Sequence, residues 1–453
     1  MRICIIGSGY VGLVSGACLA DVGHDVVCVD LDPAKVEMIN SGRPPIHERG
    51  LPELLARTAG RRLTATSDLE GAVAGSDVTF IAVGTPARDG RIDLEYVRTA
   101  ARQIGNALRR RNGYHVVVVK STVVPGTTDG VVREAIEESS GLRAGEDFGL
   151  GMNPEFLTEG RAVEDFSQPD RIVIGGIDER TRKVIGQVYA GFEGVPRIFT
   201  NNTTAEFIKY ASNALLATMI SFSNELSRLA SAVGNVDIVD VMHGVHKSAY
   251  LTTRIPGQPP VTASISSFLE AGCGFGGSCL PKDVTALVGQ GRDLGVKMPL
   301  LEAVLEINRT QPEEMLALIS RHYPQLRDVP VAVLGIAFKP DTDDVRESPA
   351  FPLIRRLIGA GARVTAYDPV ARPVGHEALQ GVRLASSLAE AVADAEIVVL
   401  VTRWEEFGGL ASVLAALGRE PLVVDGRRVL DPHAFRRYEG IGRSGGAASG
   451  RRT

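Results

Sequence analysis

Six residues, Gly7-Ser8-Gly9-Tyr10-Val11-Gly12, constrain this chain more than any other feature of it. They follow an apolar run, Arg2–Ile6, and open a helical pattern. In that setting a Gly-x-Gly-x-x-Gly turn joins the first strand of a parallel sheet to a helix and lets backbone approach a pyrophosphate. The competing reading is a glycine turn chosen for packing alone. A second apolar run, Asp25–Asp30, ends in a carboxylate eighteen residues past Gly12. A carboxylate there accepts both ribose hydroxyls and repels a 2′-phosphate, so the pattern predicts NAD rather than NADP. Lys35 lies close by and weakens that discrimination. The cofactor set read from this unit is Gly7, Gly9, Tyr10, Val11, Gly12, Asp30 and Lys35.

Further strands are predicted at Val78–Val83, Val116–Lys120 and Arg171–Gly175. Val116–Val119 is apolar throughout, which suits parallel strands covered on both faces. From about residue 328 the same signature returns at Val331–Gly335, Arg363–Asp368, Glu396–Val401 and Leu422–Asp425. The two halves echo one another, Val26–Asp30 matching Val364–Asp368. Between them Thr203-Thr204-Ala205-Glu206 offers a helix start. Apolar residues then recur at helical spacing through Ile208, Ala211, Leu215, Met219, Phe222 and Leu226. A second helix is expected after Asn235 and a helical stretch over 283–320, with a Pro-, Gly- and Ser-rich loop from Arg254 to Ser267. The expected class is α/β, two Rossmann-like doubly wound domains joined by a central long-helix region. Residues 1–200 form the N-terminal NAD-binding domain, 201–320 the central helical region, 321–438 the C-terminal domain and 439–453 a flexible tail.

Composition narrows the function classes. With 49 basic and 54 acidic residues in 453, the net charge of −5 argues against a general nucleic-acid binder. No apolar run approaches the ~18 residues of a membrane span, and no signal-like segment precedes the glycine turn, so a cytoplasmic location is expected. The five cysteines, at 4, 18, 28, 273 and 279, are too few and too odd in number for a disulfide framework. They leave room for one working thiol, although each on its own reads as a small buried hydrophobe. The eight histidines show no metal-ligand spacing.

The segment Gly274-Phe275-Gly276-Gly277-Ser278-Cys279-Leu280-Pro281-Lys282-Asp283 is where that thiol belongs. A thiol near a cation or a helix N-terminus is a better nucleophile, and the glycines let a substrate approach backbone. Val83-Gly84-Thr85-Pro86 and Lys120-Ser121-Thr122 end two strands at the crevice where parallel sheets bind ligands. Lys209 and Asn213 lie four apart on one predicted helix face and could clamp an oxyanion. A surface lysine paired with Glu206 is the other reading of Lys209. Glu155 and Glu159, also four apart, would raise one another's pKa as a like-charge pair, or else are two solvated glutamates.

Taken together these segments resemble the nucleotide-sugar 6-dehydrogenase family, the UDP-glucose/GDP-mannose dehydrogenases. The match also includes Asn153–Gly160, Glu206–Asn213, Phe338-Lys339, Asp344–Ser348 and Asp425-Gly426-Arg427-Arg428, in order from residue 1 to about 435. The resemblance implies oxidation of a sugar C6 alcohol to a carboxylate with two NAD in succession. It implies Cys279 as nucleophile, forming a thiohemiacetal and then a thioester. Lys209 and Asn213 would polarise the C6 oxygen, and Glu155 and Asp283, with Thr122, would handle a water and proton transfers. Thr85, Pro86, Ser121, Thr122, Glu159, Lys282 and Arg346 join the cofactor contacts. Phe156, Leu157, Glu159, Glu270, Gly272, Gly274, Phe275, Gly276, Phe338, Lys339 and Arg427 join Glu155, Lys209 and Asn213 as substrate contacts. UDP-glucose is the leading substrate, dTDP-glucose the next and GDP-mannose the alternative; a non-catalytic nucleotide-binding regulator is the remote one. A homodimer through the central helix is expected, with neither nucleic acid nor membrane as partner. Two departures from the family pattern stand out. Cys273 replaces a common proline, which raises an inhibitory Cys273–Cys279 disulfide beside a packed spectator. The stretch Tyr250–Ser266 lacks the usual Arg-Ile-Gly and leaves Arg254 as a candidate substitute.

Overall fold

The computed structural model describes residues 1–88, 90–111 and 113–443, and the chain divides into two compact units, Met1–Ser212 and Asn213–Thr453. The first unit is built on an eight-stranded sheet. Its strands are β1 (Arg2–Ile6), β2 (Asp25–Val29), β3 (Leu63–Thr66), β4 (Val78–Ile81), β5 (His115–Val119), β6 (Phe148–Met152), β7 (Ile172–Gly176) and β8 (Arg197–Thr200). Their order is β8-β7-β6-β5-β4-β1-β2-β3. Neighbouring residues of the central strands feed opposite cores. Ile3, Ile5, Phe80, Val116 and Val118 pack on one face, and Cys4, Ile6, Ile81, Val117 and Val119 on the other. That is why these strands read as continuous apolar runs. Cys4, Cys18 and Cys28 belong to these cores, and burial pushes all three thiols up, Cys18 and Cys28 to about 12.

One expectation about this sheet is corrected. The strand predicted at Arg171–Gly175 runs antiparallel to β6, with Gly151 opposite Gly176. The connection from β6 to β7 contains only the six-residue helix Ala162–Ser167. The chain re-enters the sheet from the end where it left. β6 itself is hidden in the sequence because Gly149 and Gly151 interrupt its apolar pattern, glycines demanded by the close approach of Thr181 and Ile185.

The second unit carries a fully parallel six-stranded sheet of β9 (Pro330–Leu334), β10 (Arg363–Tyr367), β11 (Arg383–Leu384), β12 (Ile397–Leu400), β13 (Leu422–Asp425) and β14 (Tyr438–Gly440). The order is β11-β10-β9-β12-β13-β14. β14 and the residues after it correct the expectation of a flexible tail from 439. Ile441 is buried, and the Ile238 N–H donates to the Gly442 carbonyl at 3.0 Å. An apolar side chain and an open sheet edge are reason enough for the chain to pack through Arg443; residues 444–453 of the expected tail lie outside the described residues.

The helix Asn202–Val233 runs 32 residues through the boundary of the two units. It stops where Gly234 and Asn235 adopt left-handed backbone, and Asp237 caps the next helix, Ile238–His246. The predicted helical stretch over 283–320 is three helices, Leu280–Asp293, Pro299–Arg309 and Gln311–Ser320. Pro299 and Pro312 sit in the first turns of the last two, where proline starts a helix. The expected 254–267 loop includes part of a short ribbon, Thr252–Thr253 with Val261–Thr262, and Arg254 lies exposed on it.

Candidate active site

The glycine turn has the shape a dinucleotide requires. Gly9 directly precedes the helix Tyr10–Asp21, and nothing lies within 4 Å of the position its Cβ would take. Unpaired N–H groups at the start of that helix, with Tyr10 and Val11 in its first turn, border this space and favour an anion. Gly7 adopts φ +96°, and a Cβ there would press on the Ala82 carbonyl oxygen at 2.7 Å. A Cβ on Gly12 would overlap the Gly7 carbonyl. At the end of β2, the Asp30 carboxylate accepts from the Ser8 N–H at 3.0 Å, the Ser8 hydroxyl at 2.5 Å and the Asp32 N–H at 3.0 Å. Burial pushes Asp30 up, but these bonds and Lys35 at 4.0 Å more than offset it and hold the carboxyl below its usual range. The ends of β4 and β5 are laced together, Thr85 Oγ1 donating to the Thr122 carbonyl at 2.9 Å and Ser121 Oγ to the Val83 carbonyl at 2.7 Å, with Pro86 following Thr85. These residues fit NAD.

A second cluster lies where the chain leaves β6. Lys209 Nζ, on the long helix, meets Glu155 Oε1 at 3.0 Å, with both side chains almost fully buried. The Leu157 N–H donates to Glu155 Oε2 at 2.7 Å. The Phe156 ring lies 5.5 Å from Lys209 Nζ and 3.9 Å from the Arg171 guanidinium. Residues 153–158 are irregular, so the four-residue spacing of Glu155 and Glu159 does not make them neighbours on a helix face. Burial raises Glu155, but the charge and hydrogen bond of Lys209, the Leu157 N–H and the charge of Lys120 outweigh it and hold the carboxyl low. Nor does Lys209 depend on Glu206. Glu206 instead accepts from the N–H groups of Gly126 and Thr128 at 2.6 and 2.8 Å and from the Thr128 hydroxyl at 2.6 Å.

Glu48, absent from the sequence expectations, fixes the loop bearing Glu159. Its carboxylate accepts the Gly160 and Ala162 N–H groups at 2.7 and 2.9 Å, and the Gly160 N–H also reaches the Tyr10 hydroxyl at 2.7 Å.

In the second unit Cys279 immediately precedes the helix Leu280–Asp293, and the Asp283 N–H donates to its carbonyl at 2.8 Å. The buried Asp283 carboxylate accepts from Asn213 Nδ2 and Lys282 Nζ, each at 2.6 Å. The glycine loop before the thiol is held almost entirely through its backbone. The Gly272 N–H meets Asn224 Oδ1 at 2.8 Å, and Gln311 Nε2 donates to the Gly272 carbonyl at 2.6 Å. The Phe275 N–H and carbonyl both bond the Asn308 side chain, at 2.8 and 3.0 Å. Arg427 Nη1 donates to the Gly274 carbonyl at 3.0 Å, and the Gly277 N–H to the Arg346 carbonyl at 2.9 Å. A Cβ on Gly276 would overlap the Glu347 carbonyl, and Gly277, at φ +84°, leaves only 2.6 Å to the Phe338 ring. Asn224, Asn308 and Gln311 were not expected; for Asn224 and Gln311 the signal is a fully buried polar residue on a helix. Cys273 and Cys279 are not joined by a disulfide: Cys273 is buried, with Sγ donating to the Val401 carbonyl at 3.4 Å, and burial pushes its pKa up.

Arg427 is aimed by its own turn. The Asp425 carboxylate accepts the N–H groups of residues 427–430 at 2.7–2.9 Å and the Tyr438 hydroxyl at 3.1 Å. Lys339 Nζ stands 5.7 Å from the Phe338 ring centroid. Arg346 is largely exposed with its guanidinium on Asp344, and Glu270 pairs with Arg403 at 3.2 Å. The echo of Asp30 at Asp368 turns out to be occupied by its own chain. That carboxylate accepts from the N–H groups of Ile336, Ala337, Val370 and Ala371 and from the Trp404 indole, with no exposed surface left for a ribose. Among the described residues no group of three His, Cys, Asp or Glu is arranged to hold a metal ion. No helix of the described residues is long and apolar enough to cross a membrane.

Comparison with known proteins agrees with this layout. Three family models of the UDP-glucose/GDP-mannose dehydrogenase family match in order: the NAD binding domain over residues 1–193, the central domain over 203–310 and the UDP binding domain over 332–432. A UDP-glucose 6-dehydrogenase of Rhizobium meliloti is 44% identical, the alignment covering 98% of this chain and 100% of that protein. One from Haloferax volcanii is 43% identical over 97% of this chain and 100% of its own. The solved structure of a UDP-glucose dehydrogenase from Pyrobaculum islandicum superposes with a TM-score of 0.88 at 40% identity, covering 98% of each chain. The chain belongs to the UDP-glucose/GDP-mannose dehydrogenase family and is an NAD-dependent oxidoreductase.

Proposed function

We propose that this enzyme oxidises the C6 hydroxyl of a nucleotide-diphosphate glucose to the carboxylate in a four-electron reaction through Cys279. The observation that carries the reading is the thiol at the head of the helix Leu280–Asp293, with the buried Asp283 held by Asn213 and Lys282 one turn on. An alcohol oxidation that ended at the aldehyde would need no such thiol. NAD, when bound, accepts a hydride in each of two oxidations. The residues of the chain do the rest. Glu155, kept ionised by Lys209, takes the C6 hydroxyl proton through a water held by Thr122. Lys209 and Asn213 donate hydrogen bonds to the C6 oxygen as charge develops on it. The helix N-terminus favours the Cys279 thiolate, whose sulfur adds to the aldehyde carbon while the oxygen takes a proton, giving a thiohemiacetal. Loss of a second hydride and that proton leaves a thioester. A water activated by Asp283 then adds to the thioester carbonyl, the C–S bond breaks, and carboxylate and thiol are released.

Arg427 and Lys339 are donors for the diphosphate and ribose, with the 270–277 loop contributing backbone contacts to the sugar half. UDP-glucose is the substrate this reading favours. dTDP-glucose comes next, because one methyl group is worth only about 1–3 kcal/mol of discrimination. GDP-mannose is the second reading: Ser278–Asp283 suits it equally, whereas Asp425-Gly426-Arg427 leans to glucose. A cytoplasmic enzyme accords with the composition, and a homodimer through the long helix with its surface. Phe207, Leu215, Phe222 and Leu229 recur along that helix, each about half exposed. NADH formation measured with UDP-glucose, dTDP-glucose and GDP-mannose decides the substrate. The highest kcat/KM is expected with UDP-glucose, and no NAD reduction with any of the three would overturn the reading.

A further inference from the structure

We infer that Asn308 is a positioning residue of this reaction: its carboxamide sets the glycine loop 272–277 ahead of Cys279, so that the aldehyde of the first oxidation is captured by the thiol and not lost. The inference rests on the proposed role of Cys279. Asn308 lies near the end of the helix Pro299–Arg309 and is half-buried. Its Oδ1 accepts the Phe275 N–H at 2.8 Å, and its Nδ2 donates to the Phe275 carbonyl at 3.0 Å. One side chain thus pairs with both backbone groups of one residue, as a neighbouring strand would. A carboxamide can do this because it carries an acceptor and a donor side by side; a carboxylate only accepts. The fit is close from the loop's side as well. Gly274 adopts φ +100°, and a Cβ there would come within 2.7 Å of Asn308 Oδ1.

Four of the six residues 272–277 are glycine, so the loop loses much conformational freedom on ordering and needs outside support. Its two ends are held at Gly272, by Asn224 and Gln311, and at Gly277, by the Arg346 carbonyl. Its middle is held at Gly274 by Arg427 and at Phe275 by Asn308. Burial of the Phe275 ring places that residue, and the two Asn308 bonds turn its peptide groups. Arg427 has a second duty in the proposed reaction, as a donor for the diphosphate of the substrate. The bond it makes to the Gly274 carbonyl competes with that duty. Asn308 spends both its polar atoms on Phe275, and so keeps the middle of the loop in place when Arg427 turns to the ligand.

Asn308→Asp keeps the size of the side chain and the acceptor for the Phe275 N–H, but sets an oxygen against the Phe275 carbonyl. Asn308→Ala removes both bonds. Arg309→Ala is the control: it breaks an exposed ion pair with Glu306 in the same turn of helix and leaves the loop alone. All three should melt within a few degrees of the wild type and keep its KM for NAD. In both Asn308 variants kcat should fall about tenfold or more. Part of the sugar should then leave as free aldehyde, and NADH formed per UDP-glucose consumed should drop from two toward one. A loss of stability alone lowers the rate without changing this ratio. Amide hydrogen exchange across 272–279, measured without substrate, should quicken about tenfold in Asn308→Ala, the effect of two lost hydrogen bonds on local opening. Arg309→Ala should match the wild type in both measurements. Two NADH per sugar from both Asn308 variants, or wild-type exchange across the loop in Asn308→Ala, would overturn the inference. If the wild type itself stops at one NADH, or oxidises none of the nucleotide sugars, the Cys279 reading is what fails, and the exchange measurement still decides whether Asn308 sets the loop.

Discussion

Lys209 and Glu155 show what one buried contact commits the chain to. Replacing Lys209 with methionine strands a carboxylate that has almost no exposure, a change that typically costs about 3–5 kcal/mol. Lys209→Met is therefore expected to lower the denaturant midpoint and to cut kcat/KM about 10²–10³-fold. Its residual activity should titrate at higher pH, because Lys209 is the chief influence holding Glu155 low. A variant that kept both wild-type stability and its acid limb would contradict the pairing. The roles proposed for Lys209, Asn213 and Cys279 start from the sequence, since each sits in a short motif whose spacing carries meaning. Glu48, Asn224 and Gln311 were not legible there. Each serves a backbone group far along the chain, Glu48 holding Gly160 and Ala162 more than a hundred residues away, and no local pattern marks such a partner.

Among the elements, β5 was readable because both its faces are buried, whereas the apolar run of β7 carries no mark of its direction, which only its pairing with β6 reveals. β5 also sets a pH limit on the fold. His115 at its start is buried against Thr79 at 2.9 Å, and burial, aided by Arg111, drives its pKa from 6.5 down to about 3. Below pH 6.5 the unfolded chain takes up a proton that the folded chain refuses. Stability is thus lost as pH falls from 6.5 toward 3, by up to about 1.4 kcal/mol per unit from this residue. His115→Gln should remove that slope; parallel melting of the two proteins from pH 7 to 4 would contradict it. The glycine loop before Cys279 makes a second limit. Gly277→Ala combines left-handed backbone with contact against Phe338, so a cost of at least about 1–2 kcal/mol and a marked loss of kcat are expected. Thermal melting and steady-state kinetics check both.

At the scale of the molecule, the sequence echo between the two sheets foretold their common topology but not their different fates. Asp30 is held by Ser8 and Asp32 with Lys35 beside it, whereas the donors of its own lobe, Trp404 among them, consume Asp368. Only contacts brought together by folding separate the carboxylate proposed for the dinucleotide from a structural one. The exposed apolar stripe of the long helix carries a prediction of its own. The wild type should sediment as a dimer and Phe222→Glu as a monomer, while a monomeric wild type would contradict the proposed assembly. The account as a whole turns on Cys279 taking the aldehyde through a second oxidation. Counting NADH formed per UDP-glucose consumed tests this most directly. Two NADH and the acid are predicted for the wild type, with Cys279→Ser stalled after the first oxidation. One NADH with free aldehyde from the wild type, or full oxidation at normal speed by Cys279→Ser, would contradict it.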